Sequence, residues 1–140
     1  IMPIQIIMTD RLMNQESARR LHKEICQSLL AAHNISDNRF MMPNVVGEVV
    51  FVDPAQTFAG LENSSLAIVE LKLPSFTFAT QDQRDQFVHR VTELVLKYTD
   101  GKLPREKIWV NAVYAVDGFW GIAGKAYTNE QLLTSIQQAS

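Results

Sequence analysis

The sequence predicts an α+β fold in which two β-α-β units form a four-stranded mixed sheet, with two helices on one face. Apolar segments of strand length alternate with amphipathic segments of helix length, in the order strand-helix-strand twice over. Corresponding elements of the two halves are offset by about 65 residues, which suggests a duplicated unit. With 140 residues the chain is expected to form one domain, 1–140. Its parts are a first repeat over 3–52, a second over 66–116 and a C-terminal extension over 117–140.

The first unit is predicted to contain strands over 3–8 and 45–52 and a helix over 15–33. Asn14 is a suitable N-cap for that helix, and Gly47 suggests a bulge in the second strand. Apolar residues recur at helical spacing and predict the buried stripe of the helix: Ala18, Leu21, Ile25, Leu29 and Ala32.

The second unit is predicted to contain strands over 66–73 and 108–116 and a helix over 81–99. Thr80 and Gln83 form a capping-box pattern at the start of this helix. A glycine-rich segment follows the last strand, and a short helix is predicted over 129–138.

Two β-α-β units side by side leave one face of the sheet without helices. The residues expected on this open face are Pro3, Gln5, Ile7, Leu66, Ile68, Trp109, Asn111 and Val113. A face of this mixed, largely apolar composition requires a partner, so we expect an oligomer.

Composition argues against several classes of function. The net charge is −2, which gives no general attraction to nucleic acid or to an anionic membrane. No apolar run has the length of a membrane span, and no signal-peptide pattern precedes the first strand. The single cysteine, Cys26, rules out an internal disulfide and fits a cytoplasmic protein. The three histidines lack metal-ligand spacing, so no metal or cofactor is predicted.

The segment MPIQIIMTD at 2–10, the duplicated β-α-β order and the segment WGIAGKAY at 120–127 together resemble the tautomerase superfamily. At this length the chain is similar to its fused, two-unit members, relatives of 4-oxalocrotonate tautomerase and cis-3-chloroacrylic acid dehalogenase. The resemblance implies a homotrimer. It also implies that an N-terminal proline is the catalytic base or acid.

Pro3 is the residue to which that role falls. If residues 1 and 2 are absent, Pro3 carries a secondary amine whose basicity the fold can adjust; if they are present, its nitrogen is an amide and is not basic. The alternative interpretation is that Pro3 is only a rigid start to the strand.

The resemblance also implies a cation that binds the substrate carboxylate. The family usually places arginine near the end of the third strand, where this chain has Lys72. The alternative is that Lys72 pairs with a carboxylate of a neighbouring subunit, such as Glu70. Arg39 is the second candidate cation. The alternative interpretation is that Arg39 is only a solvated loop residue.

Three further residues are candidates for substrate contact. His33 resembles the helix-end histidine of the cis-dehalogenase, although a histidine is also favoured there by the helix dipole. Asn111 stands where that enzyme has a tyrosine, and its amide could hydrogen-bond a substrate carbonyl. Trp120 is expected to form an apolar wall of the pocket or a subunit contact.

The predicted reaction is keto-enol tautomerisation of a small 2-oxo or dienol carboxylic acid. The alternatives are dehalogenation, hydration or decarboxylation of a three-carbon acid on the same scaffold, or a non-catalytic ligand-binding oligomer. Hydrolytic dehalogenation has little support in the sequence, because Lys72 is the only cation over 70–83 and Asp117 is the only acid over 107–129.

Overall fold

Two β-α-β units meet along an antiparallel pair of central strands. The computed structural model describes residues 2–140 and has a mixed sheet in the order β2-β1-β5-β6. The strands are β1 (Ile4–Thr9), β2 (Gly47–Val52), β5 (Ala67–Pro74) and β6 (Ile108–Ala115). β1 pairs parallel with β2 and antiparallel with β5, and β5 pairs parallel with β6. The predicted α+β architecture is confirmed.

Both long helices begin at the predicted caps. The N-cap Asn14 accepts a hydrogen bond from the Ser17 N–H at 2.8 Å, at the start of α1 (Gln15–Ala32). Thr80 and Gln83 form the full capping box at the start of α2 (Gln81–Thr99). Each cap satisfies backbone N–H groups that have no partner within the helix.

The core lies between the sheet and the two helices. Alternate residues of the central strands point toward it and are fully buried, among them Ile4, Ile6 and Met8 of β1. On the helix side, the core includes Leu21 and Ile25 together with other apolar residues of α1 and α2, among them Ala18, Leu29, Val91 and Val95. The opposite face of the sheet has no helix against it in residues 2–140, as predicted.

Short elements complete the fold. Two ribbons pair β3 (Phe58–Ala59) with β4 (Glu62–Asn63), and β7 (Trp120–Ile122) with β8 (Lys125–Tyr127). The predicted last helix is present as α3 (Asn129–Gln138), and its Leu132 and Ile136 are buried. The Asn38 side chain donates to the Ile136 carbonyl at 2.8 Å, which ties α3 to the loop after α1.

Three details of the sequence prediction are wrong. Gly47 marks no bulge, because it pairs with Ile4 in an unbroken ladder. Leu66 lies just before β5, so it does not follow the alternation of side chains between the two faces of that strand. It is buried and does not lie on the open face. Ala32, at the last turn of α1, is exposed, and Leu30 is buried instead.

Two features that often indicate function are absent from residues 2–140. None of the helices in this range is both long and apolar enough to cross a membrane. Within the same range, no group of three or more His, Cys, Asp or Glu side chains is placed to hold a metal ion.

Candidate active site

A pocket of about 400 Å³ opens on the helix-free face of the sheet, where the start of β1 meets the end of β5. The antiparallel register pairs Ile4 with Leu71, and the Lys72 N–H donates to the Pro3 carbonyl at 3.2 Å. Asn111 of β6 lines the same pocket. The pocket therefore brings together three predicted site residues that are distant in the sequence: Pro3, Lys72 and Asn111.

A row of polar residues crosses all four strands at the floor of this pocket. The register places Gln5 beside Glu48 on one side and beside Glu70 on the other, and Glu70 beside Asn111. The Gln5 Nε2 donates to the Glu48 Oε1 at 2.8 Å. The row supplies two carboxylates and two amides within reach of a ligand.

The charge of the pocket restricts its ligand. Among the described residues that line the pocket, Lys72 is the one cation, against the carboxylates of Glu48 and Glu70. The formal charge is therefore −1 when all three groups are ionised. Such a site disfavours a ligand with two carboxylates, unless another subunit contributes further cations.

Met2 occupies a structural position next to Pro3. The residue is 1% exposed, and its N–H donates to the Asn44 carbonyl at 2.7 Å. While Met2 is attached, the Pro3 nitrogen is a tertiary amide without basicity. Proline chemistry at this pocket therefore requires a chain that begins at Pro3.

Gly47 lines the pocket, and His22 of α1 packs against it. A Cβ on Gly47 would lie 2.2 Å from the Ile4 carbonyl oxygen and 2.4 Å from the His22 Nε2, so only glycine fits. This Nε2 is buried and has no hydrogen-bond partner in residues 2–140. Burial lowers the pKa of His22, because an imidazolium would lose hydration there.

Three predicted site residues lie elsewhere. Arg39 is exposed and lines a separate depression with Asp37 and residues 139–140. His33 ends α1 and does not line the Pro3 pocket. Trp120 is 4% exposed and belongs to the core of the described chain. Contact of these three with a substrate stays a prediction.

His33 has a defined structural role. Its Nδ1 lies 3.0 Å from the Leu29 carbonyl oxygen, and its Nε2 lies 3.3 Å from the Phe78 nitrogen. These partners assign the neutral tautomer, in which Nδ1–H donates and Nε2 accepts. His33 thereby joins the end of α1 to the loop between β5 and α2.

Sequence reasoning missed Gln5 and Glu48 as pocket residues and considered Glu70 only as a partner for Lys72. The available signal was the period-two alternation of GEVVFV, which places Glu48 and Val50 on the open face. The parallel register with β1 then places Glu48 beside Gln5.

The fold is that of solved structures of a fused 4-OT, a malonate semialdehyde decarboxylase and a macrophage migration inhibitory factor-like protein, which is the fold that the resemblance noted in the sequence implied. A wild-type fused 4-OT that forms an asymmetric trimer is similar to this chain, with a TM-score of 0.73 at 15% identity over 93% of this chain and 98% of that one. FG41 malonate semialdehyde decarboxylase inhibited by 3-bromopropiolate is similar with a TM-score of 0.65 at 14% identity over 94% of both chains.

A macrophage migration inhibitory factor-like protein from Entamoeba histolytica is also similar, with a TM-score of 0.68 at 14% identity over 90% of this chain and 98% of that one. No protein-family model matches the sequence, and no curated protein is significantly similar to it.

Proposed function

We propose that the form of this protein whose chain begins at Pro3 catalyses keto-enol tautomerisation of a small 2-oxo or dienol monocarboxylic acid. The observation that carries the proposal is the convergence of Pro3, Lys72 and Asn111 on one open pocket. The similar structures include a fused 4-OT and a malonate semialdehyde decarboxylase, which supports enzymatic chemistry on this scaffold.

The three residues have complementary tasks. The terminal amine of Pro3 takes the enol O–H proton and a proton is returned to carbon, so no group is gained or lost. The Lys72 ammonium binds the substrate carboxylate as a point charge. The Asn111 amide donates a hydrogen bond to the oxygen that becomes the carbonyl.

The basicity of the amine depends on its neighbours. An α-amine has an ordinary pKa near 8. In the pocket, the Lys72 cation favours the neutral amine, whereas the carboxylates of Glu48 and Glu70 favour the ammonium. A bound monocarboxylate neutralises Lys72, so the charge of the substrate also affects proton transfer.

We infer that the protein is a homotrimer. A second row of paired residues crosses the open face two positions along the strands from the polar row. Its residues are apolar: Val50, Ile7, Ile68 and Trp109. Trp109 is 40% exposed and Val50 is 41% exposed in the single chain. Among similar structures, a fused 4-OT is a trimer.

Sedimentation equilibrium of the protein and of its Trp109→Lys variant tests the trimer, because a charge in a buried interface should dissociate the assembly.

Ketonisation of phenylenolpyruvate, followed by ultraviolet absorbance, tests the proposed reaction. The protein should begin at Pro3, as verified by intact mass. We expect turnover that is abolished in Pro3→Ala and reduced in Lys72→Gln, whereas Lys102→Gln, which removes an exposed lysine outside the pocket, should leave it unchanged. Full activity in Pro3→Ala would refute proline catalysis.

One observation favours a second candidate. Glu48 is held by Gln5 within the pocket, where a carboxylate can accept a proton from water as the water attacks a substrate carbon. This supports hydration or dehalogenation of a three-carbon acid. Halide release from 3-chloroacrylate that is lost in Glu48→Gln would favour this candidate. Absence of both reactions would favour a ligand-binding role.

A further inference from the structure

Phe78 adopts an unusual backbone conformation between β5 and α2. Its φ is +47°, in the left-handed region that a bulky residue rarely adopts, and its side chain is buried. Three side chains hold it there. The Phe78 N–H donates to the His33 Nε2, and the Phe78 carbonyl accepts from the Arg84 Nε at 2.8 Å. The Tyr114 hydroxyl donates to the neighbouring Thr77 carbonyl at 2.6 Å and lies 3.3 Å from the Phe78 carbonyl oxygen. A strained residue fixed by several partners is typical of a ligand site.

The consequence of this arrangement is a positioned guanidinium. Arg84 is anchored through its Nε, and its Cζ lies 5.8 Å from the centre of the Tyr114 ring. In residues 2–140, no hydrogen bond or ion pair uses the two terminal nitrogens of Arg84. These nitrogens form the fork that binds a carboxylate with two hydrogen bonds.

A second pocket, of about 300 Å³, lies between β6 and α2 at this guanidinium. Its walls are largely apolar and include Leu73, Phe87 and Val110. No carboxylate of the described chain lines it, so its formal charge is +1, opposite in sign to that of the Pro3 pocket. Apolar walls with one cation favour an apolar molecule that carries a single negative charge.

We propose that this second pocket binds a small hydrophobic monocarboxylate, such as an arylalkanoic acid. Arg84 binds the carboxylate through its terminal nitrogens, and the apolar part of the ligand packs against Leu73, Phe87 and Val110. His33 and Tyr114 act as positioning residues. His33 accepts from the Phe78 N–H and Tyr114 donates to the Thr77 carbonyl, so both fix the backbone whose Phe78 carbonyl anchors Arg84.

The two pockets share a wall. Leu71 and Asn111 line both of them, with Leu71 buried in the sheet and Asn111 on the adjoining strand. A ligand in the second pocket therefore contacts residues that also bound the Pro3 pocket. Through this shared wall, binding in the second pocket can affect the Pro3 pocket directly.

Binding of 3-phenylpropionate, compared with the uncharged 3-phenylpropionamide, tests the proposal. We expect the acid to bind more tightly than the amide by about tenfold, the value of a charge-assisted hydrogen bond at a partly exposed site. The measurement is titration calorimetry on the full chain, with NMR shifts of the Leu71 methyls and the Asn111 side-chain amide as a second readout. Equal affinity for acid and amide would overturn the proposal.

Four variants locate the ligand. Arg84→Gln should remove the preference for the acid, whereas the matched control Arg90→Gln, on the same helix but outside the pocket, should keep it. Ala112→Leu should weaken both ligands by filling the pocket while Arg84 stays in place. Loss of the preference in Lys72→Gln, but not in Arg84→Gln, would place the acid beside Pro3 and overturn the proposal.

Binding in the second pocket does not depend on the reaction proposed for the Pro3 pocket. Pro3→Ala should abolish ketonisation and leave the affinity for 3-phenylpropionate unchanged. Loss of that affinity in Pro3→Ala would contradict a separate site.

Discussion

Removal of the residues before Pro3 should lower stability while it creates activity. Met2 is fully buried and its N–H is hydrogen-bonded to Asn44. Deleting a buried methionine side chain costs about 2–5 kcal/mol, and losing the hydrogen bond costs about 1 kcal/mol more. The sum is a large part of the roughly 5–15 kcal/mol that stabilises a typical protein.

Urea unfolding at fixed protein concentration measures this cost. The chain that begins at Pro3 should lose about 3–6 kcal/mol relative to the chain with Met2, and its melting temperature should fall by roughly 10–20 °C. Met2→Ala in the longer chain is the matched control, because it removes the packing but keeps the Pro3 amide. It should be destabilised and inactive.

Two results would refute this reasoning. If the two chains differ by less than about 1 kcal/mol, Met2 does not contribute the packing that its burial implies. If the longer chain ketonises phenylenolpyruvate as fast as the chain that begins at Pro3, the terminal amine is not the base.

Three further changes test individual contacts. Gly47→Ala should lower the free energy of unfolding in urea by about 3 kcal/mol, because the new methyl group meets the backbone of β1. The control Gly121→Ala, where a Cβ has open space, should lower it by less than about 0.5 kcal/mol. Equal effects of the two variants would refute the close approach at Gly47. His22 has a folded pKa below its ordinary 6.5, so the unfolded state binds the proton first and the free energy of unfolding should fall as pH drops below about 6.5. His22→Gln should flatten that dependence, and an unchanged slope would exclude His22 as its source. His33→Ala should cost about 1–3 kcal/mol by leaving the buried Phe78 N–H without its partner, and a neutral result would show that the loop does not need this bond.

The long elements could be predicted because their signals are local. The helix predicted over 81–99 has these bounds in the structure, since its capping box and apolar spacing both lie within the segment. The ribbons β3–β4 and β7–β8 could not be predicted, because strands of two or three residues carry no periodicity. The role of Gly47 depends on how closely β2 approaches Ile4 and His22, which no local pattern encodes.

Of the candidate site, the residues near predicted strand ends could be predicted from the sequence. Pro3 lies just before β1 and Lys72 lies near the end of β5, so antiparallel pairing of the two strands brings them together. Glu48 was missed because its place beside Gln5 depends on the register of two strands distant in the sequence. The contacts among Phe78, Arg84 and Tyr114 join three separate elements and have no sequence signature.

The arrangement of the sheet has a consequence for folding kinetics. No two neighbouring strands of the main sheet form a hairpin; Gln5 and Glu48, which bond across β1 and β2, are 43 residues apart, and Thr9 and Leu66 are 57 residues apart. Long chain segments must therefore close before any strand pair of this sheet gains its hydrogen bonds. We expect folding on the slower side for a small domain, with the edges of β1 and β5 exposed to intermolecular pairing until the two units meet.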